Sequence, residues 1–290
     1  MKVKFFSDYE VSDKLLDRFR ANYDVYDNDI QFTTDDDYNF AVAFNRADGH
    51  HKDSAKLITV VQEPTFSEAF AQGDSLTNSD YLLIHDVARF ESVWNIKLGR
   101  YVIESPAFMF YHDRLDHKFF DQVGEIKKDR KISIIVSSHH FPWANYHKRL
   151  GVLDKILQSD LDIDIFGRGW YIPDDRFKGE LVHKSDGLLP YEYSIAIENS
   201  NEKNYISEKF FDCVLCNTVP IYNGAPNIAE VYDPNHFKSL SLESPDVVDE
   251  IKSIIAQPSP GALPNKEIYT KKYNLYTKLK EIIFDIDPHR

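Results

Sequence analysis

Residues 191–224 read YEYSIAIENSNEKNYISEKFFDCVLCNTVPIYNG, and their pattern leaves few folds open. An apolar run from Tyr193 to Ile197 stops at Glu198-Asn199-Ser200. A polar loop follows, an amphipathic stretch opens at Tyr205-Ile-Ser207-Glu208-Lys209, and a second apolar run, Val219-Pro-Ile-Tyr222, ends at Gly224. The order is strand, loop, helix, strand. In such a unit the strand's carboxyl end and the next helix's N-terminus form a crevice suited to phosphates, because the helix presents unpaired N–H groups there. The crevice would gather Asn199, Tyr205, Glu208 and Lys209. An amide, a phenol, a carboxylate and a cation together suit a nucleotide-sugar: ribose hydroxyls need an acceptor, and a diphosphate needs positive charge.

The rest of the chain repeats this alternation. Val3–Phe6, Phe40–Phe44, Leu57–Val61 and Tyr81–Ile84 are short continuous apolar runs, with a helical pattern at Val11–Tyr23 that puts Leu15, Leu16 and Phe19 on one face. Runs of this kind suggest a parallel sheet covered on both faces. Phe90–Asp121 is aromatic-rich and less regular. Lys127-Lys-Asp-Arg-Lys131 reads as a charged, solvated break, and a chain of 290 residues exceeds the usual single-domain size. Two domains are therefore expected, 1–127 and 128–290. In the second, Ile132–Val136 and Ile163–Phe166 read as strands, Tyr146–Gln158 as a helix, and Val247–Ile255 and Ile268–Phe284 as closing helices split by the turn-rich Gln257-Pro-Ser-Pro-Gly261.

Charge and cysteines exclude some classes. A net charge of −13 argues against nucleic acid or an anionic membrane as partner, since both require clustered Lys and Arg. The N-terminal MKVKFFSDYE reads as a first strand rather than a signal peptide, and no stretch of about 18 apolar residues suggests a membrane span. Cys213 and Cys216 cannot build a disulfide framework and fit a reducing compartment, so a cytoplasmic location is the expectation.

The run E-N-S-x4-Y-I-S-E-K, followed by V-P-I-Y-x-G-x-P, resembles the donor-binding signature of the α-1,3/4-fucosyltransferases. The resemblance is clear over about 131–240 and faint in the first half. It implies an α/β protein of two Rossmann-like domains (the GT-B type) with the donor site in the C-terminal domain. It also implies an inverting transferase that moves fucose from GDP-fucose to a hydroxyl of a glycan acceptor, with no cofactor or metal required, although a divalent cation could stimulate product release. Under it, Glu208 accepts from the ribose hydroxyls, Tyr205 and Asn199 border the diphosphate and sugar, and Lys209 neutralises the leaving group. An arginine early in the helix after the first strand of the second domain contacts the donor phosphates in that family; Arg149 matches, with His147 and Lys148 as neighbours in register. Arg168, in Phe166-Gly-Arg-Gly169, is a weaker candidate, because a tight turn explains the glycines equally well.

Glycosyl transfer also needs a base for the acceptor hydroxyl. Leu57–Val61 leads into Gln62-Glu63-Pro64-Thr65, and the family places its catalytic carboxylate at such a strand end. Glu63 therefore fits, with capping of the next helix as its ordinary alternative. Glu104, in Glu104-Ser-Pro106, is the rival and is followed by a family-like Tyr111-His-Asp-Arg114. Three motifs are set aside. Asp35-Asp-Asp37 lies in a polar loop, Cys213-Val-Leu-Cys216 lies inside a helix, and the adjacent His139-His140 make a poor chelate. The family's commoner Trp-Gly after the V-P-I-Y strand is replaced by Asn223-Gly224, which leaves the donor sugar open. A transferase using another nucleotide-sugar and a non-catalytic nucleotide-sugar or glycan-binding protein are the alternatives. The acceptor, the linkage and the oligomeric state are not legible.

Overall fold

In the computed structural model the described residues are 1–22, 29–46, 51–71, 74–99, 101–106, 115, 117–123, 126–141, 145–264 and 266–284. They form two compact units, Met1–His117 with Tyr269–Arg290, and Lys118–Ile268.

The first unit contains β1 (Lys2–Ser7), α1 (Ser12–Asn22), β2 (Gln31–Phe32), β3 (Phe40–Phe44), β4 (Lys56–Val60), α2 (Asp74–Thr77), β5 (Tyr81–Ile84), α3 (Val87–Trp94) and β6 (Val102–Glu104). Its sheet is parallel throughout, in the order β2-β1-β3-β4-β5-β6. All five residues of β3 are buried, as expected for a central strand covered on both faces. Phe5, Phe19, Phe32 and Phe44 meet edge-on or tilted, with ring centroids 4.7–5.5 Å apart.

A short helix, α4 (His117–Gln122), leads to the second unit. That unit comprises β7 (Arg130–Ile135), α5 (Tyr146–Leu157), β8 (Asp164–Phe166), β9 (Phe177–Gly179), β10 (Tyr191–Ile197), α6 (Glu208–Leu215), β11 (Val219–Asn223), α7 (Ile228–Val231), β12 (Lys238–Ser239) and α8 (Val247–Ile255). Its parallel order is β12-β11-β10-β7-β8-β9. The chain lays down β7, β8 and β9 in one direction, returns to place β10 beside β7, and continues the other way. This is the Rossmann order, and its reversal leaves a crevice at the carboxyl ends of β7 and β10. The first sheet has the other common doubly wound order, with its reversal between β1 and β3. Two α/β sheets of parallel strands, the GT-B-like arrangement, are thus present.

The expected division at 127/128 differs from the observed one in two ways. The Lys127–Lys131 run is an anchor: Lys128 Nζ donates to Leu189 O at 2.8 Å, Cys216 O at 2.7 Å and Thr218 Oγ1 at 3.0 Å. Arg130 pairs with Asp164 and Lys131 with Glu192. Charged residues tied into the sheet do not make a linker. The expected closing helix over 268–284 is also broken, into a π-helical turn (Ile268–Lys272) and α9 (Leu275–Ile283), where Asn274 Oδ1 accepts the Thr277 N–H at 2.8 Å. Helix α9 groups with the first unit: Leu275 and Leu279 are buried, and the Tyr276 ring lies 6.2 Å from those of Phe19 and Phe32. Leu279→Ala should cost about 2–5 kcal/mol. Hydrogen exchange is expected to quicken in α1 and leave α5 unchanged; the reverse would place the tail with the second unit.

Candidate active site

The carboxyl end of β10 organises the second unit's crevice. Glu198 follows the strand, is fully buried, and accepts both the Ser207 N–H (2.7 Å, Oε1) and the Ser207 O–H (2.6 Å, Oε2). Lys209 Nζ lies 3.6 Å from the same carboxylate. Burial raises the Glu198 pKa, while Lys209 and the Ser207 donors pull it back. Ser207 is also the N-cap of α6, its Oγ accepting the Lys209 N–H at 3.3 Å. One buried carboxylate therefore fixes both the helix start and its first lysine. Gly224 completes this corner, because a Cβ there would lie 2.2 Å from the Tyr222 hydroxyl and 2.4 Å from Glu198 Cγ.

The loop between β10 and α6 is held from both sides. Asn204, in the left-handed region at φ 57°, exchanges two hydrogen bonds with Asn227 at 2.9 and 2.8 Å. Asn145, the residue before α5, donates its N–H to Asn199 O at 3.0 Å, and its amide nitrogen reaches Asn201 and Asn223. This ties α5 to the end of β10 across the strand-order reversal.

Arg149 enters this crevice from the first turn of α5. Its guanidinium is buried and donates to Asn199 Oδ1 and His139 O, each at 3.4 Å. It packs over the Tyr146 ring, 5.2 Å from the centroid, and its buried Nε has no hydrogen-bond partner. Among the described residues it bonds only neutral oxygens. Burial depresses its pKa, and its charge is close enough to be felt by Lys209 and to feel Tyr205. Buried cations are ordinarily matched by a carboxylate or another anion. Two neighbouring cations, one lacking a carboxylate, beside the N-terminus of α6 form a place for an anion.

Glu208 opens α6 with a half-exposed side chain. Its Oε1 lies 3.5 Å from Lys209 Nζ and 3.7 Å from Lys184 Nζ. Although burial acts against its charge, the two lysines and its hydrogen bonds hold its pKa down to about 2. One turn on, Asp212 is buried and paired with Lys184 at 2.7 Å.

The structure thus brings together Arg149, Asn199, Tyr205, Glu208 and Lys209. Two details differ from the sequence reading. Helix α6 begins at Glu208, so Tyr205 precedes it as a buried loop residue whose N–H donates to Glu202 O at 3.1 Å. Arg168 is exposed and no bond of its side chain joins it to the group; its carbonyl accepts the Ser138 N–H at 2.9 Å. Its flanking glycines have steric reasons: a Cβ on Gly167 would meet Val136 O at 1.8 Å, and Gly169 has φ 78°. Asn223 is held by Leu240 O at 2.8 Å and by Asn145. Two residues given no role from sequence emerge. Glu198 was visible as the first letter of Glu198-Asn199-Ser200, but Lys184 sits in a polar connection without periodicity.

In the first unit, Glu63 follows β4 and is half-buried; its N–H and that of Gln62 donate to Asn45 Oδ1 at 3.2 and 2.9 Å. It is not the cap of the next helical turn, Glu68–Phe70, which Ser67 caps. Glu104 Oε2 accepts the Val87 N–H at 2.9 Å, at the start of α3. Tyr111–Arg114 lies outside the described residues. Asp36 and Asp37 pair with Lys4 and Lys2. Cys213 and Cys216 are buried, with the Cys213 thiol pushed up to about 12. No cluster of metal-ligating side chains occurs among the described residues, and none of their helices is long and apolar enough to cross a membrane.

Residues 126–241 match the model of glycosyltransferase family 10 (fucosyltransferase), C-terminal part. The matched stretch includes Arg149, Asn199, Tyr205, Glu208 and Lys209 of the crevice. A putative fucosyltransferase-like protein of Arabidopsis thaliana is 32% identical over 115 residues, 38% of this chain and 21% of that protein. An alpha-(1,3)-fucosyltransferase, FucT, of Helicobacter pylori is 33% identical over 58 residues, 20% of this chain and 12% of that enzyme. The chain therefore aligns with a small part of each relative's length. A crystal structure of an alpha1,3-fucosyltransferase with GDP superposes with a TM-score of 0.55 at 15% identity, covering 99% of this chain and 91% of that one. A second, with GDP-fucose, gives 0.51 at 16%, covering 89% and 78%. At such identities these two establish the shared fold.

The buried carboxylates give the site a pH signature. Burial holds the Asp212 carboxyl up to about 6 against an ordinary 3.8, with Lys184 opposing. The folded chain keeps that proton longer than the unfolded chain. The resulting stabilisation is full below pH 3.8 and is lost as pH rises through about 6. Glu208, held down to about 2 from 4.5, acts in the opposite sense and only below 4.5. Between pH 4.5 and 6, stability should fall as pH rises, and Asp212→Asn should flatten that fall, leaving the part due to Glu198. Urea midpoints across this window check it; an unchanged slope in the variant would refute it.

Proposed function

We propose that the chain is an inverting glycosyltransferase that moves fucose from GDP-fucose to a hydroxyl of a glycan acceptor. The observation that supports this most is Arg149: a buried guanidinium with neutral partners only, beside Lys209 at a Rossmann strand-order reversal. A nucleoside diphosphate supplies the missing negative charge. The family match over 126–241 favours GDP-fucose among nucleotide-sugars.

In this reading Arg149 and Lys209 bind the two phosphates, helped by the positive end of the α6 dipole. Glu208, kept ionised, accepts from the ribose hydroxyls, and Asn199 and Tyr205 border the diphosphate and sugar. Glu63 takes the proton of the acceptor hydroxyl. The acceptor oxygen forms its bond to the anomeric carbon from the face opposite the leaving group. The bond to the phosphate oxygen breaks, its electron pair leaves with GDP, and configuration inverts. Negative charge grows on the diphosphate in the transition state, so cations already in place there lower the barrier. Protein cations and a helix N-terminus serve this role, and a divalent ion is not required by the scheme.

The test is a thermal-shift panel with GDP, UDP, ADP, CDP and CMP, each with and without manganese, joined to turnover of GDP-fucose by Glu63→Gln. GDP should stabilise the protein irrespective of metal, and at about 100 times its dissociation constant the gain is about 2.7 kcal/mol. Glu63→Gln should retain that shift and lose about 100- to 10,000-fold in rate. Stabilisation by UDP alone would overturn the donor. Undiminished turnover by the variant would overturn the base. GDP binding without turnover by the wild type under any acceptor would favour a binding protein instead.

A further inference from the structure

Lys184 pairs with two carboxylates of α6 but has no part in the proposed donor binding. It opens a helical turn, Lys184–Gly187, in the connection from β9 to β10. That turn is anchored: Ser185 and Gly187 are buried, Ser185 O accepts the Leu188 and Leu189 N–H groups at 3.0 and 2.7 Å, and Gly187 O accepts from Ser133 Oγ at 2.6 Å. A Cβ on Gly187 would come within 2.7 Å of Leu181 Cδ1 and 3.0 Å of Ile135 Cδ1, so the turn packs directly against these side chains. Lys184 is thus delivered from a rigid support. Its ammonium reaches Asp212 Oδ2 at 2.7 Å and Glu208 Oε1 at 3.7 Å.

Glu208 and Asp212 are four residues apart on α6, so their carboxylates lie on one face and repel. Asp212 is buried and its Oδ1 has no hydrogen-bond partner, which leaves Lys184 as its principal compensation. Glu208 is half-exposed and has a freer side chain. Lys209 also approaches Glu208, at 3.5 Å, but it is shared with Glu198 and Ser207. A bound diphosphate would draw Lys209 toward the phosphates. Lys184 would then be the cation still holding Glu208.

We infer that Lys184 is a positioning residue for ribose recognition: by bridging Asp212 and Glu208, it holds the Glu208 carboxylate ready for the paired hydroxyls of a nucleoside diphosphate. The inference rests on the donor-site reading above. It adds that selectivity for ribose over deoxyribose depends on a lysine that does not itself touch the nucleotide.

Calorimetric titration of GDP and 2′,3′-dideoxy-GDP tests it in the full chain. The wild type should prefer GDP by about tenfold or more, the scale of hydrogen bonds to a charged acceptor. Lys184→Met should weaken GDP toward the dideoxy value and leave the dideoxy affinity as it was, and Lys184→Arg should restore most of the preference. Because Lys184→Met strands a buried carboxylate, Lys184→Met with Asp212→Asn gives a second variant without that burden, and the same loss of preference is expected. Adding Glu208→Gln to Lys184→Met should cost nothing further. An unchanged ratio in a folded variant, or equal loss of both nucleotides, would overturn the inference while leaving the donor site standing. A wild type that binds neither nucleotide would overturn the donor-site reading and this inference with it.

Discussion

A buried guanidinium without a carboxylate is the feature around which the second unit makes sense. Burying a cation carries a desolvation cost of several kcal/mol, and two long hydrogen bonds to neutral oxygens offset little of it. Arg149 is therefore a poor contributor to stability where it stands. In the proposed donor site a diphosphate would share the crevice and supply the missing charge. The topology gives that crevice its place: the strand order reverses between β7 and β10, so α5 and the loop after β10 part, and both aim polar groups at the gap.

The surrounding residues keep the site ready-made. Glu198 fixes Ser207, Ser207 starts α6, and α6 presents Glu208 and Lys209 in one turn. The Asn204–Asn227 amide pair and the Asn145–Asn199 link close the loop around them. Alternating charges through Glu198, Lys209, Glu208, Lys184 and Asp212 let a dense ionic group stay charged in a partly buried place. Groups held in this way need little rearrangement when charge develops on a leaving diphosphate.

Much of this was legible because the relevant signals are local. Continuous apolar runs marked the central strands β1, β3, β4, β5, β7, β10 and β11, and Glu198 to Lys209 lie within one strand–loop–helix passage. What stayed hidden depends on distant partners. The lysine-rich 127–131 run looked like a linker because sequence does not show that Lys128 meets Leu189, Cys216 and Thr218 across the sheet. The last helix looked like a closing piece of the second unit, yet Tyr276 meets Phe19 and Phe32, near the other end of the chain. Lys184 had no pattern to announce it, since its meaning lies in Asp212 and Glu208. Glu104 matched a familiar tripeptide, but its carboxylate serves the start of α3. Resemblance located the passage, and the bond from the Val87 N–H gives Glu104 a role that its tripeptide does not show.

The most direct measurement pairs the melting temperature and the GDP affinity of Arg149→Met with those of the wild type. If the guanidinium is held for a diphosphate, the variant should melt at the same or a higher temperature and bind GDP at least about 30-fold more weakly, the usual scale for losing one member of a buried charge pair. A variant that melts lower and binds GDP as tightly as the wild type would show that Arg149 serves the fold, and would contradict the account.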